Sequence, residues 1–291
     1  MKRTLGEQVF QWVDIVVMII IIATIIFPFM NIISLSVSSH EAIMQRSVSI
    51  WPKGFNLAAY REILGSTLFL RSLVNTVGLT IIGTFLSVIL TLMASYAMTK
   101  DFLGKKFTTY FFVITMYFSG GLIPTYLVVA KYLNMRNTYM ALILPALINV
   151  FYIIVMRSQI ENIPSSIFDA AYIDGANEYQ TVFQIVMPTI APTIASISMF
   201  FALGKWNSWF PVMVYTDYQK FWTVQYYLRI VVFSKFIEAR DGSELVLKEM
   251  QIPEENFGMA AIIIVAMPIV AIYPFVQKYF VKGIISGAVK G

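Results

Sequence analysis

Side chains capable of bond chemistry are scarce in this chain of 291 residues. It has no cysteine, which excludes a thiol nucleophile, an iron–sulfur site and a disulfide framework. His40 is its single histidine, so we predict no metal centre and no histidine-based catalytic triad. The phosphate-cradling pattern Gly-x-x-x-x-Gly-Lys-Ser/Thr is also absent, so any ATP used by this protein would have to be hydrolysed on another polypeptide.

The most informative local pattern lies between residues 162 and 180. Ser166 followed by Asp169 has the spacing of a capping box, which favours the start of a helix. We predict a short helix over 167–174, ended by Gly175 in the left-handed conformation that glycine adopts readily.

A second helix is predicted to follow, because Asn177 and Gln180 again have capping-box spacing. The short helix before it carries apolar residues together with the small Ala170 and Ala171, which would let a partner backbone approach closely. Such a surface fits either docking of a partner protein or contact with the lipid surface.

These elements belong to a chain that is too apolar for a water-soluble core, with 58% hydrophobic and only 13% charged residues. A helix that crosses a bilayer needs about 20 predominantly apolar residues. Six such runs predict an all-α membrane protein with six spans: 15–33, 73–99, 107–130, 137–156, 188–215 and 257–276. In the third run, Ser119, Gly120 and Gly121 could allow close helix packing, which is the favoured interpretation, or a local break.

Basic residues in the termini and in short loops predict the orientation of the spans. They place both termini and the loop after the second span in the cytoplasm: Lys2, Arg3, Lys100, Lys105, Lys106, Lys278, Lys282 and Lys290. Residues 158–187 then form a cytoplasmic loop. Because the net charge of +5 fits such loops, we predict membrane lipid and no nucleic acid among the partners.

One polar and aromatic group interrupts the fifth run: Lys205, Trp206, Asn207 and Trp209. A charge within a membrane segment usually faces a cavity or a partner, so these residues could line a translocation path, with Lys205 attracting an acidic solute. The alternative is a position at the outer interface, where tryptophans form a belt and the lysine extends toward water.

Three strings in the 158–187 loop resemble the EAA loop of ABC importer permeases: Asp169-Ala170-Ala171, Asp174-Gly175-Ala176 and Ile185-Val186-Met187-Pro188. Gly175 stands four residues after Ala171, and Ile185 stands ten after Gly175, as in the sugar-importer form of the motif. Asp169 replaces the family's glutamate and Met187 its leucine, which are mild changes.

Two further strings, residues 118–126 and 273–283, resemble the polysaccharide and lipo-oligosaccharide branch of the MalG-type carbohydrate permeases. That branch includes permeases for alginate, rhamnogalacturonan and aldouronate oligosaccharides. The resemblance covers nearly the whole chain and implies a single MetI-like permease domain over 1–291.

The resemblance also implies partners and a site. It assigns coupling to an ATPase to nine residues: Phe168, Asp169, Ala170, Ala171, Asp174, Gly175, Ala176, Ile185 and Pro188. The expected partners are a second homologous permease, a dimer of ATP-binding subunits that holds ATP and Mg²⁺, an extracellular solute-binding protein and an oligosaccharide substrate. This chain itself would hold no cofactor and would not be an enzyme, and its expected location is a bacterial cell membrane.

Two other functions remain open at this point. An ion-coupled secondary carrier usually needs acidic residues deep within its spans, and no such residue is present here, although backbone carbonyls could still bind sodium. A channel or membrane scaffold would work without an ATPase.

Overall fold

A computed structural model describes residues 5–230 and 255–288. All regular elements in those ranges are helices, which confirms the predicted all-α class. The described residues divide into two compact units. One unit comprises residues up to Phe69 together with 228–230 and 255–267, and the other comprises Leu70–Tyr227 together with the residues from Pro268 to 288.

The first unit begins with the long apolar helix α1 (Leu5–Ser36). Most of its large side chains are exposed, as expected of a span whose neighbours are lipid or another chain. Hydrogen bonds hold the chain that follows against the end of α1, since Asn31 Nδ2 donates to Ser49 O at 2.8 Å. Two short helices follow, α2 (His40–Met44) and α3 (Ala58–Gly65).

Helix α4 (Thr67–Thr99) is an unbroken span of 33 residues. The next predicted span is broken instead: α5 (Lys105–Tyr117) and α6 (Leu122–Tyr126), which continues as a π-helix over Leu127–Tyr132, meet at 114°. Gly121 precedes α6 with a φ of +82°, and a Cβ atom added to Gly120 would have only Pro124 Cβ nearby, at 3.9 Å. Of the two roles considered for Ser119, Gly120 and Gly121, the structure has the local break, and the favoured packing role is wrong.

The fourth predicted span is bent by 51°. Its first part, which we call the half-helix, comprises α7 (Tyr139–Ile143) and a 3₁₀ turn over Leu144–Ala146. Its second part is α8 (Val150–Glu161), which Asn149 begins by accepting a hydrogen bond from Phe151 N at 3.0 Å. Pro145 lies at the bend, where it lacks the N–H needed to continue the helix.

Helix α9 (Ser165–Ile173) is followed by a composite helix of α10 (Glu178–Gln180), a π-helical turn over Thr181–Val186 and α11 (Met187–Thr189). The composite helix meets α12 (Ala191–Trp206) at 88°. The predicted fifth span, 188–215, begins within three residues of the start of α12, but it is wrong as an uninterrupted helix, because a second break separates Trp206 from α13 (Phe210–Tyr215).

A 3₁₀ turn over Gln219–Phe221, a helix α14 over 224–230 and the long helix α15 (Glu255–Ala288) complete the described elements. Three helices in the described ranges are long and apolar enough to span a membrane, and the count is up to six if each of the three bent pairs is one span. That count agrees with the six predicted spans.

The core of the second unit joins α4, α8 and α12 to the segment between α8 and α12. We call it the central cluster: Val88, Leu92, Tyr96, Met156, Ile160, Ile163, Val182, Val186, Ile190, Ile194, Ile197 and Phe201. Phe168 of α9 packs against it. The helices on either side of α9 are thus packed on the same long span.

Candidate functional site

Residues 158–187, which we call the coupling segment, begin with the end of α8. Helix α9 starts at Ser165, two residues earlier than predicted, with Pro164 at its N-cap and no capping hydrogen bond from a side chain. The predicted capping box of Ser166 and Asp169 is therefore wrong. Proline disfavours the helical conformation of the residue before it, so the helix starts immediately after Pro164 and Ser166 lies inside it.

The end of α9 agrees with the prediction. Gly175 has a φ of +76°, and the Ala176 N–H donates to Ala171 O at 3.0 Å while the Gly175 N–H donates to Tyr172 O at 3.1 Å. This pair of bonds is the Schellman motif, which satisfies carbonyls at a helix end and turns the chain sharply.

The second helix of the segment begins with the predicted capping box. The Gln180 N–H donates to Asn177 Oδ1, and the Asn177 N–H donates to Gln180 Oε1, both at 2.9 Å. Ile185 follows in the π-helical turn, half-buried, and Pro188 lies exposed in α11. Both ends of the short loop between α9 and α10 are therefore fixed by backbone hydrogen bonds.

Helix α9 has an inner and an outer face. Ala171 is buried and Phe168 packs on the central cluster, so these two residues anchor the helix to this chain. Tyr172 and Ile173 are 85% and 84% exposed. Five residues that the resemblance assigns to coupling are also exposed or half-buried: Asp169, Ala170, Asp174, Gly175 and Ala176. Of the two small alanines expected to receive a partner backbone, Ala171 is not available to one.

Glu178 fastens the coupling segment to the end of α4. The Tyr96 hydroxyl donates to Glu178 Oε2, and Lys100 Nζ lies 3.2 Å from the same oxygen. These contacts hold the pKa of the Glu178 carboxyl below its usual value, with the hydrogen bond from Tyr96 as the main cause. The loop after α4 and the coupling segment therefore lie at the same end of this unit, which we call the Glu178 end.

The opposite end of α4 is tied to other loops. Asn75 Nδ2 donates to Lys220 O at 2.8 Å and to Trp222 O at 3.0 Å. Arg136 Nη2 and Asp217 Oδ1 are 2.7 Å apart, and Asn137 Nδ2 donates to Asp217 Oδ2 at 2.9 Å. We call this the Asp217 end, and it shows that residues 133–139 and 215–222 share one end of the unit.

Lys205 is buried, with 7% of its surface exposed. Its Nζ donates to Ala146 O at 2.9 Å and to Ile143 O at 3.4 Å. These carbonyls lie at the C-terminal end of the half-helix, where a cation is favourable and where lipid could not satisfy them. The interpretation that Lys205 extends toward water at the interface is wrong.

The other three residues of this group do not converge with Lys205. Trp206 is buried and lines a cavity of about 280 Å³ within the second unit, between α4, α12 and α15. Asn207 is exposed and accepts a hydrogen bond from Gln225 Nε2 at 3.1 Å. Trp209 is half-buried and packs edge-on against Phe210. Their predicted contact with substrate stays a prediction.

Sequence reasoning missed the roles of Gly83 and Glu178. A Cβ atom on Gly83 would lie 3.1 Å from Lys205 Cε, so the lysine crosses α4 where that helix has no side chain. Neither position stands out in the sequence, because isolated glycines are common in membrane spans and a charged loop residue is usually solvated. A contact between residues 96 and 178 is visible only in the fold.

The fold and the coupling segment together define a multi-pass membrane protein with a helix-turn-helix element exposed between two of its spans. Its relatives include the polygalacturonan/rhamnogalacturonan transport system permease protein YtcP of Bacillus subtilis, 37% identical over 91% of this chain and 93% of that protein. Protein LplC of the same organism is 35% identical over 100% of this chain and 98% of that protein.

A solved structure agrees with these relatives. A chain of the crystal structure of a bacterial ABC transporter involved in the import of the acidic polysaccharide alginate has a TM-score of 0.86 and 28% identity, over 96% of this chain and 99% of that one. No family model matches the sequence. The chain belongs to the permease subunits of ABC importers, as its relatives over nearly its whole length show.

The capping box generates a first prediction. Replacing Asn177 with alanine removes the side-chain oxygen that accepts the Gln180 N–H, while the bond from the backbone N–H of residue 177 to Gln180 Oε1 can still form. The loss should cost about 1 kcal/mol of local stability, or about fivefold faster amide exchange over Gln180 and Thr181. Hydrogen exchange measured by mass spectrometry checks this. Asn162→Ala is the matched control, because Asn162 closes α8 through its backbone N–H; equal exchange in the two variants would contradict the cap.

The contact of Glu178 with Tyr96 generates a second prediction. A lowered carboxyl pKa means that the contact stabilises the fold above the ordinary pKa of glutamate and is lost as the pH falls through the lowered value. In Tyr96→Phe, the pKa of Glu178 should rise toward the ordinary value, as measured by carbon-13 NMR of labelled glutamate. An unchanged titration would rule out Tyr96 as the main cause.

Proposed function

We propose that the outer face of α9 docks on the ATP-hydrolysing subunit of an importer and transmits its movement to the spans. The observation that carries this proposal is a helix whose Tyr172 and Ile173 are exposed while Phe168 and Ala171 anchor it to the central cluster. Exposed aromatic and aliphatic side chains on a helix that is already held in place are suited to bind a protein partner, because binding then orders few backbone and side-chain conformations.

The Glu178 end of the second unit would then face the cytoplasm, with both chain termini on that side. This proposal is supported by the lysines of the loop after α4, which share that end with the coupling segment. The basic residues Lys2, Arg3 and Lys290 that also predict this orientation lie outside the described residues.

The substrates proposed for this permease are fragments of acidic polysaccharides. The support is the agreement between a relative named for polygalacturonan and rhamnogalacturonan and a structural neighbour described as an importer of alginate. The polysaccharides in both names are built with uronate sugars. A second homologous permease would complete the path, and an extracellular solute-binding protein would deliver the oligosaccharide.

In this mechanism the chain makes and breaks no covalent bond. ATP and Mg²⁺ are proposed to bind on the partner subunits, since the sequence has no phosphate-cradling motif. Movement of the partner displaces α9, and α8 and α12 follow because they share the central cluster with it. The spans then switch between inward-facing and outward-facing arrangements. Family membership favours this ATP-driven function over an ion-coupled carrier.

The turn at Gly175 generates a third prediction. Gly175→Pro removes the N–H that bonds to Tyr172 O and imposes a negative φ where the chain has +76°, so uptake should be lost while the protein still reaches the membrane. Uptake of a radiolabelled trigalacturonate, together with the amount of protein in the membrane, measures this.

A milder pair of glycine-to-alanine variants distinguishes the effect of straining the turn from the effect of replacing any glycine. Gly175→Ala should lower uptake, because alanine is strained at this φ, whereas Gly204→Ala should not, because Gly204 has a helical φ and no neighbour within 4 Å of an added Cβ. Normal uptake by Gly175→Pro would remove the coupling role from this segment. Uptake of neutral but not acidic oligosaccharides by the unaltered importer would overturn the substrate class alone.

A further inference from the structure

Lys205 is the point at which three helices of the second unit meet. It lies near the end of α12, its methylenes pass over Gly83 of α4, and its ammonium reaches two carbonyls of the half-helix. No carboxylate among the described residues forms an ion pair with it, so its contacts are with neutral backbone groups.

Two of the helices that meet at Lys205 lead along the chain to the coupling segment. The half-helix precedes α8, which runs directly into α9, and α12 begins two residues after the composite helix that follows α9. The central cluster joins the two helices along their length through side chains such as Met156 and Ile197. Lys205 adds a polar connection at their far ends, where the half-helix bends away from α8.

The bend makes this connection necessary. A break within a span frees backbone carbonyls that lipid cannot satisfy, and neighbouring helices must supply donors. Lys205 supplies donors to Ile143 and Ala146 across a gap that only the bare backbone of Gly83 leaves open. Removing the ammonium would leave the two carbonyls without this donor, and the half-helix would be held by the apolar packing of Leu142 and Ile143 on Leu79 and Val212, which does not include α12.

We propose that Lys205 is a positioning residue for transport: it holds the half-helix to α12, so that a displacement of the coupling segment moves the bent span as one body rather than being absorbed at the bend. This proposal rests on the proposed function for the source of the movement. The hydrogen bonds of the lysine itself do not depend on it.

The connection can be tested in the purified chain in lipid nanodiscs. Because the protein has no cysteine, spin labels can be placed across the bend at Met140→Cys and Gln159→Cys, both exposed, and their separation measured by pulsed electron resonance. Lys205→Met should broaden or shift the distance distribution. Lys131→Met, a lysine exposed in the π-helix, is the matched control and should leave it unchanged.

A second variant covers the case in which Lys205→Met does not fold. Gly83→Val keeps the charge but places methyl groups where the lysine methylenes lie, so it should also alter the distance distribution. Lys205→Arg keeps a donor and should restore the distribution in part. An unchanged distribution in a folded Lys205→Met or Gly83→Val protein would overturn the proposal.

The role in transport is tested in cells that carry the complete importer. Lys205→Met should lower uptake of acidic and neutral oligosaccharides alike, by about tenfold or more, since a hydrogen bond from a charged donor contributes roughly that factor to an equilibrium. ATP hydrolysis by the assembled complex should persist, which a misassembled complex would not show.

Three outcomes would overturn the positioning role: normal uptake, loss of acidic substrates only, and parallel loss of uptake and ATP hydrolysis. If the unaltered importer takes up no oligosaccharide, the proposed function fails, whereas the distance measurement still decides whether Lys205 holds the half-helix.

Discussion

Backbone hydrogen bonding in an apolar environment is the constraint on which the structure of this permease depends. A straight helix satisfies its own amides and carbonyls, but the third and fourth predicted spans are bent, and a bend within a span frees groups that lipid cannot satisfy. The chain meets this cost in different ways. Asn149 and Thr138 cap the two parts of the fourth span, and Lys205 reaches across from α12 to the carbonyls at its bend.

In the coupling segment, too, the backbone groups at the helix ends are satisfied by specific hydrogen bonds, although this segment is polar. A Schellman motif ends α9 and a capping box starts α10, so a loop of four residues is fixed at both ends. Glu178 then links the loop to the end of α4. A partner that moves α9 therefore meets a segment with little freedom to deform, which is the property that transmission of movement requires.

The sequence predicts the parts of this arrangement that depend on local chemistry. Apolar run lengths identify the six spans, Gly175 is recognised as a helix end, and Asn177 with Gln180 as a helix start, because each depends on residues within one turn. The choice between packing and a break at residues 119–121, and the burial of Ala171, are not decided in this way. Both depend on which surfaces are covered in the fold, and hydropathy treats every apolar residue alike. Lys205 is recognised as unusual, but its partners lie about 60 residues away along the chain.

The proposed contact between the exposed face of α9 and the ATP-hydrolysing subunit can be tested directly. The most direct measurement replaces Tyr172 with the photo-crosslinking residue benzoylphenylalanine in the complete importer and identifies the cross-linked partner by mass spectrometry. We expect a cross-link from position 172 to the ATP-hydrolysing subunit, and none from Tyr132, which is 77% exposed but lies near the Asp217 end. Cross-links from position 172 to lipid alone, in a complex shown to be assembled, would contradict it.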